Sequence, residues 1–177
     1  ATVDTANAFS DIARYMVASE ETEPGNGWYY TGWVQALADN PQMDGAELGT
    51  AICDTYMEGC EMYGTEDETT LSVVDLGKIG AVLTAYDNMG KEALSYACED
   101  PSFFSCFGRN AEYAENYGGN TKDTGYTNMV DLRDLAENNR DILTDTCEDV
   151  IAALEDCVVY KVNGSYRQQA GGLSCYY

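Results

Sequence analysis

Apolar side chains recur every three or four residues over most of this chain, and the period breaks at a few short places. Val3, Ala6, Phe9, Ile12 and Ala13 form the first stripe, which predicts a helix over 3–14. "YMVAS" (15–19) has no such period and reads as a short buried strand. Three carboxylates follow it within five positions, Glu20, Glu21 and Glu23, before Pro24, Gly25 and Trp28. "WYYTGWVQALAD" (28–39) predicts an aromatic-rich segment running into a helix, stopped by Asn40-Pro41. Leu48, Ile52, Tyr56, Cys60 and Tyr63 mark a helix over 45–63. "LSVVDL" (71–76) is a Val-rich strand. Asp75 stands where a cap belongs for the helix behind it, whose stripe is Ile79, Val82, Leu83, Tyr86, Leu94 and Ala97.

Residues 99–127 mix Phe, Tyr, Gly, Asn and Asp without a sustained period and read as one long loop, a length that is often functional. "MVDLRDLAENN" (129–139) predicts a short helix. Ile142 or Leu143, then Cys147, Val150, Leu154 and Cys157, predict another. "VVYKVNG" (158–164) and "GGLSCYY" (171–177) read as a strand pair around a polar turn. Strands separated by helices favour a three-layer α/β architecture over a bundle, and 177 residues suit a single domain, 1–177.

Charge narrows the partners. The net charge is −22, and residues 1–70 carry fourteen Asp/Glu against one basic residue, Arg14. Nucleic acid and anionic membrane surfaces are excluded as partners, because phosphate binding needs Lys and Arg. A cationic peptide or a divalent metal is attracted by such a field; the same acidity also serves plain solubility. No apolar run approaches the roughly 20 residues of a membrane span.

Conventional catalytic motifs are absent. There is no histidine, so no Ser-His-Asp or Cys-His catalyst can be complete within these residues. The seven cysteines form no CxxC pair, which argues against zinc, and they read as packing thiols or disulfide partners. "TEDET" (65–69) lacks the spacing of a calcium-binding EF-hand and reads as a solvated loop. The turn at 19–23 differs by its place. Ligands of α/β sheets bind beyond the carboxyl ends of strands, so these carboxylates form either a solvated turn or the rim of a pocket for Arg or Lys.

"YMVASEETEPGNGWYYTGWVQAL", "LSVVDLGKIG", "MVDLRDLA" and "GGLSCYY" fall in an order that resembles the clostripain family of cysteine peptidases, the C11 peptidases. The first block is the most specific; the later ones persuade by their order. The resemblance implies a caspase-like three-layer α/β/α sandwich, here partial and lacking the N-terminal strands. It implies an endopeptidase that cleaves after Arg, or Lys, with a Cys-His pair. The nucleophile of an Asp-Ala-Cys-type motif falls just before Ala1 and the histidine further upstream, so no catalytic residue lies in this sequence. The upstream segment is then a partner, together with a basic peptide or protein substrate. Ser19, Glu20 and Glu21 are the resemblance's candidates for the rim of the primary specificity pocket. No cofactor is required; calcium suits the acidity, without nameable ligands. Secretion or a bacterial cell-surface location is the family's usual setting. The rival reading is a non-catalytic acidic module that grips basic peptides or a partner protein.

Overall fold

A computed structural model describes residues 1–118 and 127–177. In chain order the elements are α1 (Val3–Phe9), β1 (Tyr15–Ala18), α2 (Tyr30–Asp39), α3 (Gly45–Tyr63), β2 (Thr70–Asp75), α4 (Ile79–Glu99), α5 (Ser102–Ala111), β3 (Met129–Asp131), α6 (Leu132–Asn139), α7 (Thr144–Cys157), β4 (Val158–Asn163) and β5 (Ser174–Tyr176). Among the described residues two sheets result, β1-β2-β4 and β3-β5, with antiparallel pairing between their strands. Thr2 adds a parallel bridge to Ser174.

β2 is the centre. All six of its residues are buried, because helices cover both of its faces. Side chains alternate across a strand, so Leu71 and Val73 point together to one side. There they meet Ile52, Cys53, Tyr56 and Cys60 of α3. Val74 belongs to the opposite core with Val82 and Met89 of α4 and Val150 and Leu154 of α7. A register shift between Val73 and Val74 accompanies the change of face. Each such buried side chain contributes roughly 1.5–3 kcal/mol. The layers are therefore α/β/α, the caspase-like sandwich that the resemblance implied.

The helices begin where local chemistry says they can. Asp44 accepts from the backbone N–H of Ala46 and Glu47, while the Glu47 carboxylate returns a bond to the Asp44 N–H, a full capping box on α3. Gly64 ends that helix at φ +67°, a left-handed geometry that glycine adopts freely. Asp75 caps the tight turn 76–78, from which α4 continues.

Four expectations need correction. α1 stops at Phe9, short of residue 14. The stretch read as a loop over 99–127 contains α5, started by Asp100 accepting from Ser102 N at 2.9 Å. Its Phe103 and Phe107 pack on the core, a short stripe that the surrounding Gly and Asn had masked; residues 119–126 lie outside the described residues. Residues 129–131 are strand and not helix, since Asp131 caps α6 by accepting from Asp134 N. Finally, 158–164 and 171–177 do not pair with each other. β4 lies on β2 and β5 lies on β3, and the chain between them passes through Gly172 at φ +110°.

Candidate substrate-pocket wall

β1 ends at Ala18, and the backbone N–H groups beyond it lose their ladder partners. Two hydroxyls replace them. Ser19 Oγ and Thr70 Oγ1 are 2.9 Å apart; Thr70 Oγ1 accepts from Glu20 N (3.1 Å) and Glu21 N (3.3 Å), and Ser19 Oγ accepts from Glu21 N (3.1 Å). This knot fixes the turn and sends the two glutamates in different directions.

Glu20 turns inward. Its Oε2 accepts from Gly172 N at 2.9 Å, and its carboxyl meets that of Asp131. Asp131 in turn accepts from Asp134 N (2.7 Å) and Gly171 N (2.5 Å). Burial and then the neighbouring Asp131 push the Glu20 carboxyl well above the usual range, and burial raises Asp131 also. Glu21 runs to the other side, where Oε1 accepts from Thr22 N (2.6 Å) and Gly118 N (3.0 Å). Its Oε2 pairs with Arg167 Nη2 at 2.5 Å.

Arg167 is the hub of this second cluster. Nη1 reaches Glu115 Oε1 (3.4 Å) and the carbonyl of Asn116 (3.3 Å), and the guanidinium lies 5.6 Å from the centre of the Tyr117 ring. Glu115 also accepts from Gln169 N at 3.0 Å; burial nevertheless raises its carboxyl. Beside the cluster opens a cleft of about 510 Å³ whose lining includes Glu21, Glu23, Asp67, Glu68, Tyr166 and Arg167. Glu23 is held by Trp28 Nε1 at 2.8 Å and Asp67 by Ser165 Oγ at 2.5 Å.

The three expected rim residues therefore lie together but are not alike. Ser19, Glu20 and Glu21 are all buried, and only Glu21 lines the cleft. Asp131, Glu115, Tyr117 and Arg167 complete the arrangement and were missed in the sequence. One signal was available for Arg167, a cation four residues before Gly171-Gly172 in a chain with only nine Lys and Arg. The backbone of Ala1 passes close by. Its nitrogen bonds to the Ser19 carbonyl, and its carbonyl accepts from Ser174 N (3.0 Å) and Ser174 Oγ (3.1 Å).

Other chemistry is sparse. Among the described residues no group of three or more His, Cys, Asp or Glu is placed to hold a metal. No described helix is long and apolar enough to cross a membrane. All seven cysteines are free; burial pushes Cys53 and Cys175 up to about 12 and Cys147 and Cys157 up to about 11, so these thiols are poor nucleophiles.

Comparison with known proteins gives a concordant picture. The Clostripain family matches over residues 1–174. Among solved structures, a clostripain from Bacteroides thetaiotaomicron in complex with the peptide inhibitor BTN-VLTK-AOMK is similar at 18% identity and TM-score 0.67, over 98% of this chain and 72% of that one. An inactive zymogen C11 protease from Parabacteroides distasonis gives 16% identity and TM-score 0.69, over 99% of this chain and 49% of the other. A secreted C11 cysteine protease from Bacteroides thetaiotaomicron gives 17% identity and TM-score 0.69, over 99% and 46%. The chain thus spans about half the length of the last two. No curated protein matches the sequence significantly.

Proposed function

Because the chain belongs to the clostripain family, we propose that it forms part of a cysteine endopeptidase that cleaves after Arg or Lys. This homology supports a peptidase function in general terms; the basic specificity and the placement of the catalytic groups are our reading. A segment upstream of Ala1 supplies the nucleophilic cysteine, the histidine that activates it, and oxyanion donors. These 177 residues supply the sheet core and one wall of the specificity pocket.

The observation that carries the reading is the position of Ala1. Its backbone is held between Ser19 and Ser174, so a residue just before it stands at the carboxyl end of β1, beside the acidic turn. Substrate-facing roles then differ. Ser19 shapes the turn, and Glu20 locks it to the Gly171–Gly172 loop. Glu21, at the edge of the cleft, contributes negative field for a substrate cation, with Glu23, Asp67 and Glu68 beyond it. Basic selectivity also accords with the peptide VLTK of the inhibitor bound to the similar clostripain, which ends on lysine. In the family's usual setting the enzyme is secreted or sits on the bacterial cell surface, as one similar protease is secreted.

The test is hydrolysis of fluorogenic peptides ending in Arg, Lys or a neutral residue by the full-length protein. Cleavage of the basic substrates, with selectivity reduced in Glu21→Gln, is expected. Equal cleavage of neutral substrates refutes the specificity. Absence of any hydrolysis, with retained binding of basic peptides, supports the acidic binding module instead.

A further inference from the structure

Glu20 lies in the turn just beyond β1 and Asp131 ends β3, a strand of the other sheet, and the two meet in the interior. Glu20 is 4% exposed and Asp131 is fully buried. Consecutive glycines straddle the pair, Gly171 N donating to Asp131 and Gly172 N to Glu20. Gly172 has no room for a side chain, since a Cβ there would stand 2.8 Å from Val158 Cγ1. One atom is left over: Glu20 Oε1 is buried without a hydrogen-bond partner among the described residues.

A buried orphan acceptor is costly, and two touching carboxylates in a dry site cannot both be ionised. The surrounding cations relieve the charge only in part, because none of them bonds to either carboxyl. Lys161, which faces Asp131, gives its ammonium to the Ala170 carbonyl. Arg133 is paired with Glu137 and Glu155. The Ala1 nitrogen faces Glu20 but bonds to Ser19. Glu115, Asp134, the Tyr117 phenol and the Cys175 thiol add only groups whose ionisation would worsen the repulsion.

We propose that Glu20 and Asp131 hold one proton between them at neutral pH, and that this acid pair is a latch joining the Ser19–Glu21 turn to the Gly171–Gly172 loop. The proton sits on Glu20 Oε1, converting the orphan acceptor into a donor toward Asp131. Asp131 stays ionised, because it already accepts two backbone N–H bonds. Glu20 is then a positioning residue: it touches no substrate and holds two segments of the wall in register.

The pH dependence follows in sign. A carboxyl whose folded value lies above its unfolded one stabilises the fold below the unfolded value, near 4.5 for Glu. That stabilisation is lost as the pH rises through the folded value. Acid closes this latch and alkali opens it, opposite to an ordinary salt-bridged carboxylate.

Neither the latch nor its test depends on the peptidase reading. Infrared difference spectra of the full-length protein, wild type minus Glu20→Gln, would be recorded at pH 7 together with melting curves from pH 5 to pH 9. A protonated-carboxyl band is expected in the wild type and absent from E20Q. Glutamine keeps one donor and one acceptor, so E20Q is expected to match wild type at pH 5 and to melt higher at pH 9. Asp131→Asn, which loses an acceptor for a backbone N–H, is expected to melt lower than E20Q at every pH. Absence of the band at pH 7, or parallel melting curves for wild type and E20Q, overturns the proposal.

Discussion

Replacing Arg167 by methionine keeps a side chain of similar length but removes the guanidinium, with its charge, its hydrogen bonds to Glu21, Glu115 and the Asn116 carbonyl, and its contact with the Tyr117 ring. Two carboxylates are then stranded: Glu21, whose side chain is 6% exposed, and Glu115, at 9%. Removing one member of a buried ion pair typically costs about 3–5 kcal/mol. Glu21 retains the Gly118 and Thr22 N–H bonds and Glu115 that of Gln169, while Arg167 itself is 19% exposed. The loss therefore falls at the lower end, about 3 kcal/mol at pH 7. Burial already raises the Glu115 carboxyl, and without Arg167 acid protonates it more readily, so the gap from wild type narrows as the pH falls. Adding Glu21→Gln removes one stranded charge and recovers part of the loss, a coupling of about 1–3 kcal/mol. Urea unfolding of the full-length protein at pH 7 and pH 5, for wild type, R167M and the double variant, measures all of these. An R167M midpoint within about 0.5 kcal/mol of wild type at both pH values refutes the clamp.

Three further outcomes follow from the same geometry. Thr70→Val removes the hydroxyl that receives Glu20 N and Glu21 N, leaving buried donors unpaired; a loss of about 1–3 kcal/mol in denaturant unfolding is expected. Gly172→Ala forces a side chain against Val158 at φ +110° and is expected to cost at least about 2 kcal/mol, read as a lowered Tm, whereas Ala at open Gly80 leaves Tm unchanged or raised. Brief native alkylation followed by mass spectrometry is expected to modify exposed Cys98 and half-buried Cys106 among these seven thiols; early labelling of Cys53 or Cys175 contradicts their burial.

Much of the fold was legible because burial writes its own period. The apolar recurrence in α3 and α4 and the unbroken run in β2 located these three elements along the chain, while the central place of β2 and the helix on each of its faces came from the structure. Pairing was not legible. β4 and β5 are neighbours in sequence and read as a hairpin, yet they pair with β2 and β3 in separate sheets, and no side-chain pattern encodes that. α5 was hidden because its stripe rests on two phenylalanines among residues that favour turns. At the site, the acidic turn stood out by composition, but its charge state did not. The partners of Glu20 and Glu21 come from residues 115–118, 131 and 167–172, and only tertiary packing brings those to residue 20.

The central claim is that these residues wall the pocket of a cysteine peptidase whose nucleophile lies outside them. The most direct test is to label the full-length protein with a lysine-directed electrophilic peptide and map the modified residue by mass spectrometry. The account predicts one modified cysteine, upstream of Ala1 and next to the Ser19–Glu21 turn. A label on any of the seven cysteines within 1–177, or no covalent label on a folded protein, contradicts it.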